Sequence, residues 1–163
     1  MRLTSALAGV VLLLGACSPS ASESAAPSAS SAVQAAVHPV SGLRVISLTV
    51  THNGKRHDFR VEVANSGLEQ AKGLMFRTEM GPDEGMIFPL KPPRVASFWM
   101  KNTVLPLDII FIDGNGVILN IAANTVPYDE NSVYSEGIAH AVLELNGGRA
   151  AQLGIAPGDK VNW

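Results

Sequence analysis

One cysteine, Cys17, stands in a chain of 163 residues, so it has no intramolecular disulfide partner. Charged residues make up 16% and aromatic residues 6%, against 47% hydrophobic. No basic cluster occurs, nor any Lys/Arg stripe interleaved with aromatic residues, and this argues against nucleic acid as a partner. Also missing are a Gly-x-Ser-x-Gly elbow, a Cys/His pair, a His-Glu-x-x-His motif and a phosphate-cradling glycine loop. Asp113-Gly114-Asn115-Gly116 is too short a loop to supply the six or more oxygens of a calcium site. It reads as a hairpin turn.

Much of the apolar excess lies at the start. Met1 to Ala16 carries one basic residue, Arg2, and then an apolar run from Ala6 to Leu14, too short to cross a bilayer as a mature helix. The run closes on Leu14-Gly15-Ala16-Cys17, which resembles the lipobox of bacterial lipoproteins. There small residues precede a cysteine that is acylated as the leader is cut. The alternative is an ordinary signal peptide with a chance cysteine. A lone thiol in an oxidising compartment is a liability, whereas a lipidated one is consumed, and several acyl chains together hold a membrane stably. Ser18 after the cysteine resembles an outer-membrane address. The expectation is residues 1–16 as a lipoprotein signal peptide and a membrane anchor at Cys17, in the cell envelope at the outer membrane facing the periplasm.

Ser18 to Ser41 is nearly all Ser, Ala and Pro with one acid, Glu23. Such a stretch cannot form a core and reads as a disordered tether, with a reach of about 25–30 Å. Cys17 and this stretch (17–41) precede a single globular domain, 42–163. Loss of Arg2 with the leader leaves 11 basic against 14 acidic residues.

The domain opens on a hairpin. Asn53-Gly54 is the strongest two-residue turn signal, because a type I′ turn needs positive φ at both central positions. That turn sets Val50 against His57, Leu48 against Phe59, Ile46 against Val61 and, on the polar face, Val45 against Glu62. A slip of one residue would mix the faces. Ser66 and Glu69 have capping-box spacing, and Leu68, Ala71, Leu74 and Met75 recur as one buried helical stripe. Met86 to Phe88 reads as a short strand, Pro89 to Pro93 as a stiff connection and Val95 to Thr103 as a strand that breaks before Pro106. Asp108 to Ile112 is apolar on both parities after its first residue, the mark of a strand buried on two faces. Strands at Val117–Ala122 and Ile138–Leu145, and a helical turn at Arg149–Leu153 stopped by Gly154, complete the pattern. The fold class expected is α+β: a β-rich, mostly antiparallel curved sheet or small barrel with one or two short helices. Without long crossover helices, parallel βαβ layers are not expected.

Several blocks then point one way. They are Gly73-Leu74-Met75-Phe76-Arg77, Gly85-Met86-Ile87-Phe88, Phe98-Trp99-Met100-Lys101-Asn102-Thr103 and Pro106-Leu107-Asp108-Ile109-Ile110-Phe111-Ile112-Asp113. With Leu143-Glu144-Leu145, Gly148, Gly154-Ile155 and Gly158-Asp159-Lys160-Val161, they make the chain resemble the domain-of-unknown-function 192 family across Val45 to Val161. Ile87 stands where a leucine is common, and Val104-Leu105 where an isoleucine often precedes the proline. The resemblance implies a compact β-rich domain, frequently exported, with no established activity. It does not supply a mechanism.

The densest polar constellation is Lys101, Asn102, Thr103 and Asp108, with Arg77 and Glu144 as expected neighbours and Trp99 beside them. On the functional reading a lysine partly desolvated against Trp99 serves as base or nucleophile, and Asn102 and Thr103 orient a carbonyl or a sugar hydroxyl. On the structural reading Lys101 pairs with Asp108, while Asn102 and Thr103 satisfy freed backbone groups. Of the histidines, His38 falls in the tether, His52 and His57 on the hairpin and His140 in a late strand; His57 reads as a hydrogen-bonded edge residue. Met75, Met80, Met86 and Met100 allow a minor Cu(I) alternative, though methionine is an ordinary core filler. No metal or cofactor is expected. The functional expectation is a binding or accessory module for a small polar or carbohydrate-like envelope ligand, with Arg77, Trp99, Lys101, Asn102, Thr103, Asp108 and Glu144 as candidate residues. The alternative is a small envelope hydrolase using the Lys101/Asp108 region. The expected partners are the membrane, through the lipid on Cys17, and a small molecule or glycan.

Overall fold

A computed structural model describes residues 36–163. The leader, Cys17 and residues 18–35 of the expected tether lie outside the described residues. Among those described, the elements are β1 (Val45–His52), β2 (Lys55–Val63), α1 (Gly67–Lys72), β3 (Glu84–Phe98), β4 (Leu107–Ile112), β5 (Ile118–Ala122), β6 (Val133–Asn146), α2 (Arg149–Leu153) and β7 (Lys160–Asn162). The strands form one curled sheet in the order β5-β4-β6-β3-β2-β1-β7. A bridge between Val117 and Lys160 joins its two ends. This is the expected β-rich, mostly antiparallel curved sheet with two short helices.

The β1–β2 register is the one the Asn-Gly turn dictates: Val50 opposite His57, Leu48 opposite Phe59, Ile46 opposite Val61 and Val45 opposite Glu62. Asn53 and Gly54 have φ of 47° and 76°, as a type I′ turn requires.

Two cores lie on opposite faces of the sheet. Leu48, Val50, Phe59, Val61, Ile110 and Leu143 fill the concave one, which Ala150 of α2 helps close. Leu74, Met86, Phe88, Met100, Ile109 and Phe111 belong to the other. β4 sends alternate side chains into each, and all six of its residues are buried. That is why its apolar pattern has no period of two.

Four features differ from the sequence reading. β3 is one long strand that passes through Pro89–Pro93. It does so by bulging: Pro89 pairs with Ala141 and Arg94 with Ala139, so the intervening residues need no ladder donors. Its partner β6 is correspondingly long, beginning at Val133. β2 and β3 pair in parallel, and the crossover through residues 64–83 needs only the short α1, because its remaining length is irregular loop. The helix has the capping box, with Ser66 Oγ accepting from the Glu69 N–H at 3.2 Å and Glu69 accepting from the Ser66 N–H at 2.7 Å. It does not have the buried stripe. It ends at Lys72, so Leu68 is 86% exposed and only Leu74, beyond the helix, is buried.

The fourth difference concerns the end of the stretch read as a tether. Residues 36–41 of it belong to the domain: the Ala36 carbonyl accepts from the Val45 N–H at 2.6 Å. Ser41 donates to Glu62, and His38 Nε2 lies 3.7 Å from the same carboxylate. A buried Glu62–Arg77 pair holds this end of the chain, so His38 is not in a free linker.

Candidate functional site

The expected Lys101–Asp108 ion pair does not form. Asp108 is fully buried. Its carboxylate accepts from the backbone N–H groups of Asn124 (2.7 Å), Gly148 (2.9 Å) and Ala150 (2.8 Å). It thereby anchors the start of α2 and the 124 loop to β4. Lys101 instead sits with Nζ 5.0 Å from the centre of the Trp99 ring, a cation–π contact. Asp108 is satisfied by backbone groups in place of the expected Lys101. The 124 loop and the start of α2, not the segment around Lys101, bring donors to the acid.

β3 stops at Phe98, so Trp99 to Thr103 is a turn and not an alternating strand face. The Thr103 N–H donates to the Met100 carbonyl at 3.0 Å, and Asn102 takes a φ of 54°, a conformation asparagine tolerates. Its carbonyl accepts from the Phe76 N–H at 2.8 Å. Trp99, at 45% exposure, projects from this turn, while Thr103 is buried.

Glu144 is the unexpected centre of the region. On β6, Leu143 and Leu145 face the concave core. Strand alternation therefore sends Glu144 into the second one. It pairs with Met86 of β3 and Ile109 of β4, both fully buried. Glu144 itself is 5% exposed and its Oε2 has no hydrogen-bond partner. Burial alone pushes its carboxyl up to about 8, because a charge there would lose its hydration with nothing to replace it. At neutral pH the group is a proton donor.

A cavity of about 260 Å³ opens beside it. Leu74, Phe88 and Phe98 give it apolar walls, the buried Thr103 and Glu144 its polar lining, and the half-exposed Trp99 its outer edge. The Thr103 hydroxyl donates to the Lys101 carbonyl at 3.2 Å and has its lone pairs left to accept. Lys72 and Arg94 also line it. Phe98 is held edge-on to Phe88, with ring centres 5.1 Å apart. Gly73 suits this position: its φ is 47°, which L side chains rarely adopt, and a Cβ there would lie 3.4 Å from the Phe88 ring.

The structure thus brings Trp99, Thr103 and Glu144 together and leaves the other candidates elsewhere. Arg77 makes a two-point pair with Glu62 at 2.9 and 3.1 Å. Asp108 is saturated, and the Asn102 amide turns toward Met75 Sδ at 3.9 Å. Lys101 touches the site through the Trp99 ring and through its carbonyl, which accepts from the Thr103 hydroxyl at 3.2 Å. Lys72, Leu74, Phe88, Phe98 and Arg94 were not singled out as site residues. The one available signal was Glu144 itself, a lone acid in the apolar run Ala141-Val142-Leu143-Glu144-Leu145.

Of the four methionines considered for Cu(I), Met80 packs against the second core. Met86 and Met100 are core residues, and Met100 Sδ accepts from the Thr125 hydroxyl at 3.1 Å. His57 is buried with Nε2 unpartnered, which corrects the hydrogen-bonded edge residue expected there. Burial, followed by the charges of Lys55 and Arg149, lowers its pKa. It does not line the cavity.

The family pattern of DUF192, described as an uncharacterized ACR, matches residues 48–163. The chain belongs to this family. Among solved structures, a protein of unknown function from Novosphingobium aromaticivorans DSM 12444 is 56% identical, with a TM-score of 0.77. The match covers 91% of this chain and 100% of that one. A protein from Sinorhizobium meliloti 1021, described as a proposed transcription regulator, is 40% identical over 74% of this chain and 94% of its own, with a TM-score of 0.72. None of the curated proteins matches the chain. Within the DUF192 domain, four of the blocks noted in the sequence meet at one place: Gly73-Leu74, Phe88, Phe98-Trp99 with Thr103, and Glu144 all line the Glu144 cavity.

Proposed function

We propose that the domain is a binding module of the bacterial cell envelope, held to the outer membrane by lipid on Cys17, which takes a small polar ligand in the Glu144 cavity. One observation carries the binding reading: a carboxyl that is buried, unpartnered and set in the lining of a cavity. An orphaned buried polar group costs about 1–3 kcal/mol, and a ligand that accepts its proton recovers that loss. The Thr103 hydroxyl and the half-exposed Trp99 at the outer edge are groups that orient a polar or sugar-like ligand. The lipid anchor rests on Leu14-Gly15-Ala16-Cys17.

Binding is favoured over hydrolysis by the same geometry. The Lys101/Asp108 pair needed by a hydrolase is not assembled, and Glu144 is the one acid among the residues lining the cavity. General acid–base hydrolysis needs a second group to activate water. The test is native mass spectrometry of the protein released gently from bacterial membranes, beside a Glu144→Met variant. A ligand mass on the wild type that the variant lacks is expected. The same bare mass for both would contradict a tightly held ligand at this site.

A further inference from the structure

We infer that the ligand of the Glu144 cavity is a small organic anion, charged at one end and carrying an uncharged carbonyl or hydroxyl acceptor at the other. This rests on the binding reading above and specifies its chemistry. The charges around the cavity are one-sided. Lys72 at the end of α1 and Arg94 on β3 both line it and both are exposed. Neither forms an ion pair among the described residues. The one acid present, Glu144, holds its proton at neutral pH and offers an O–H instead of a negative charge. A cationic ligand would therefore meet two cations and no anion.

The polar groups are also separated in depth. Glu144 is buried whereas Lys72 and Arg94 are exposed, and neither cation pairs with its carboxyl, so the acid lies deeper than both. β4 offers it only Ile109, β3 offers Met86, and the 99–103 turn offers the neutral Thr103 hydroxyl. A carboxylate beside Glu144 would lie away from both cations, beside apolar walls, and lose its hydration without compensation. An uncharged acceptor there takes the Glu144 proton in a hydrogen bond. The short apolar body then crosses Leu74, Phe88 and Phe98, and the anionic end stays at the mouth near Lys72 and Arg94. A volume of about 260 Å³ falls just below the ~300–1,000 Å³ of drug-sized sites. The occupant is a compound of the size of an N-acyl amino acid or a hydroxy acid.

Three probes share one acetamide group and differ in charge: N-acetylglycine (anionic), N-acetylglycinamide (neutral) and N-acetylethylenediamine (cationic). Each is titrated into the ¹⁵N-labelled full-length protein while the amide signals of Thr103, Glu144 and Trp99 are followed. The anion is expected to bind tightest. Lys72→Ala and Arg94→Ala are each expected to weaken it by about two- to fivefold, as for an exposed charge pair, and to leave the neutral probe unchanged. Its affinity is expected to fall above pH 8 in the wild type and to stay flat in Glu144→Gln, which keeps a donor but does not titrate. A cationic probe that binds as well as the anion, or better, would overturn the charge assignment and leave the site standing. Failure of all three probes to move these signals would overturn the binding site itself.

Discussion

Asp108 and Glu144 lie one register step apart on adjacent strands, Asp108 opposite Leu145 and Ile109 opposite Glu144, yet their carboxyls point to opposite faces and meet opposite conditions. Asp108 accepts three backbone N–H groups. Glu144 has an oxygen with no partner. Both side chains are buried among apolar residues, so the difference is one of polar satisfaction alone. The first arrangement is what a fold needs; the second lowers stability unless something else supplies the hydrogen bond.

Asp108→Ala is expected to destabilise the domain by about 3 kcal/mol or more, because it orphans three buried donors at once. For a domain of this size that corresponds to a fall on the order of 10 °C in Tm. Circular dichroism melts of the variant and wild type measure it. A change of only one or two degrees would mean that water or backbone shifts replace the carboxylate.

Lys101→Met is expected to cost less than about 1 kcal/mol, the worth of an exposed cation–π contact. Combined with Asp108→Asn it should be additive within about 0.5 kcal/mol, since the two residues share no partner. Urea denaturation of the two single variants and the double variant gives the coupling directly. Strong coupling would restore the ion pair that the geometry lacks.

The pH dependence follows from Glu144. Its folded pKa, about 8, lies above its ordinary value of 4.5, so between these limits the folded state holds a proton the unfolded state has released. Stability from this group is complete below about pH 4.5, declines as pH rises and is lost through pH 8. Glu144→Gln does not titrate. Its stability relative to wild type is therefore expected to grow from pH 4.5 to 8, by an amount on the order of a few kcal/mol, and then to level off. Chemical denaturation across that range tests the sign. A difference independent of pH would mean that the carboxyl is already hydrated.

Cys17→Ser is expected to move the protein from the membrane fraction to the soluble periplasmic fraction, and to abolish labelling by a radioactive fatty acid. Persistence of both in the variant would rule out the anchor.

How legible these features were depended on whether local chemistry decided them. Asn53-Gly54 fixes a turn of one handedness, so the whole β1–β2 register follows from it. The two-sided burial of β4 shows in Ile109-Ile110-Phe111-Ile112 because neither face tolerates a polar residue. β3 was hidden by Pro89–Pro93: prolines end most strands, and only the matching length of β6 lets this one bulge and continue. The α1 stripe misled because Leu68 and Leu74 have helical spacing, but Gly73 ends the helix between them.

The site was legible in part for a similar reason. Trp99 and Thr103 stand out through the polar density of their own segment. That they line one cavity with Glu144 is not visible there, because β6 brings the acid across the sheet from far along the chain. Lys72 and Arg94 carry no local signal: a lysine ending a helix and an arginine after prolines are ordinary surface residues until the fold sets them around one cavity. Asp108 was misassigned because sequence proximity favours Lys101, whereas its true partners are backbone groups of the 124 loop and the start of α2.

Glu144→Met tests most directly whether that acid is kept for a ligand or for the fold. Methionine has a similar shape and needs no hydrogen bond, so removal of the orphaned carboxyl is expected to stabilise the ligand-free domain by about 1–3 kcal/mol at pH 7. The corresponding rise in Tm is a few degrees or more. A Tm at or below the wild-type value would show that Glu144 supports the fold, and would contradict its assignment to the binding site.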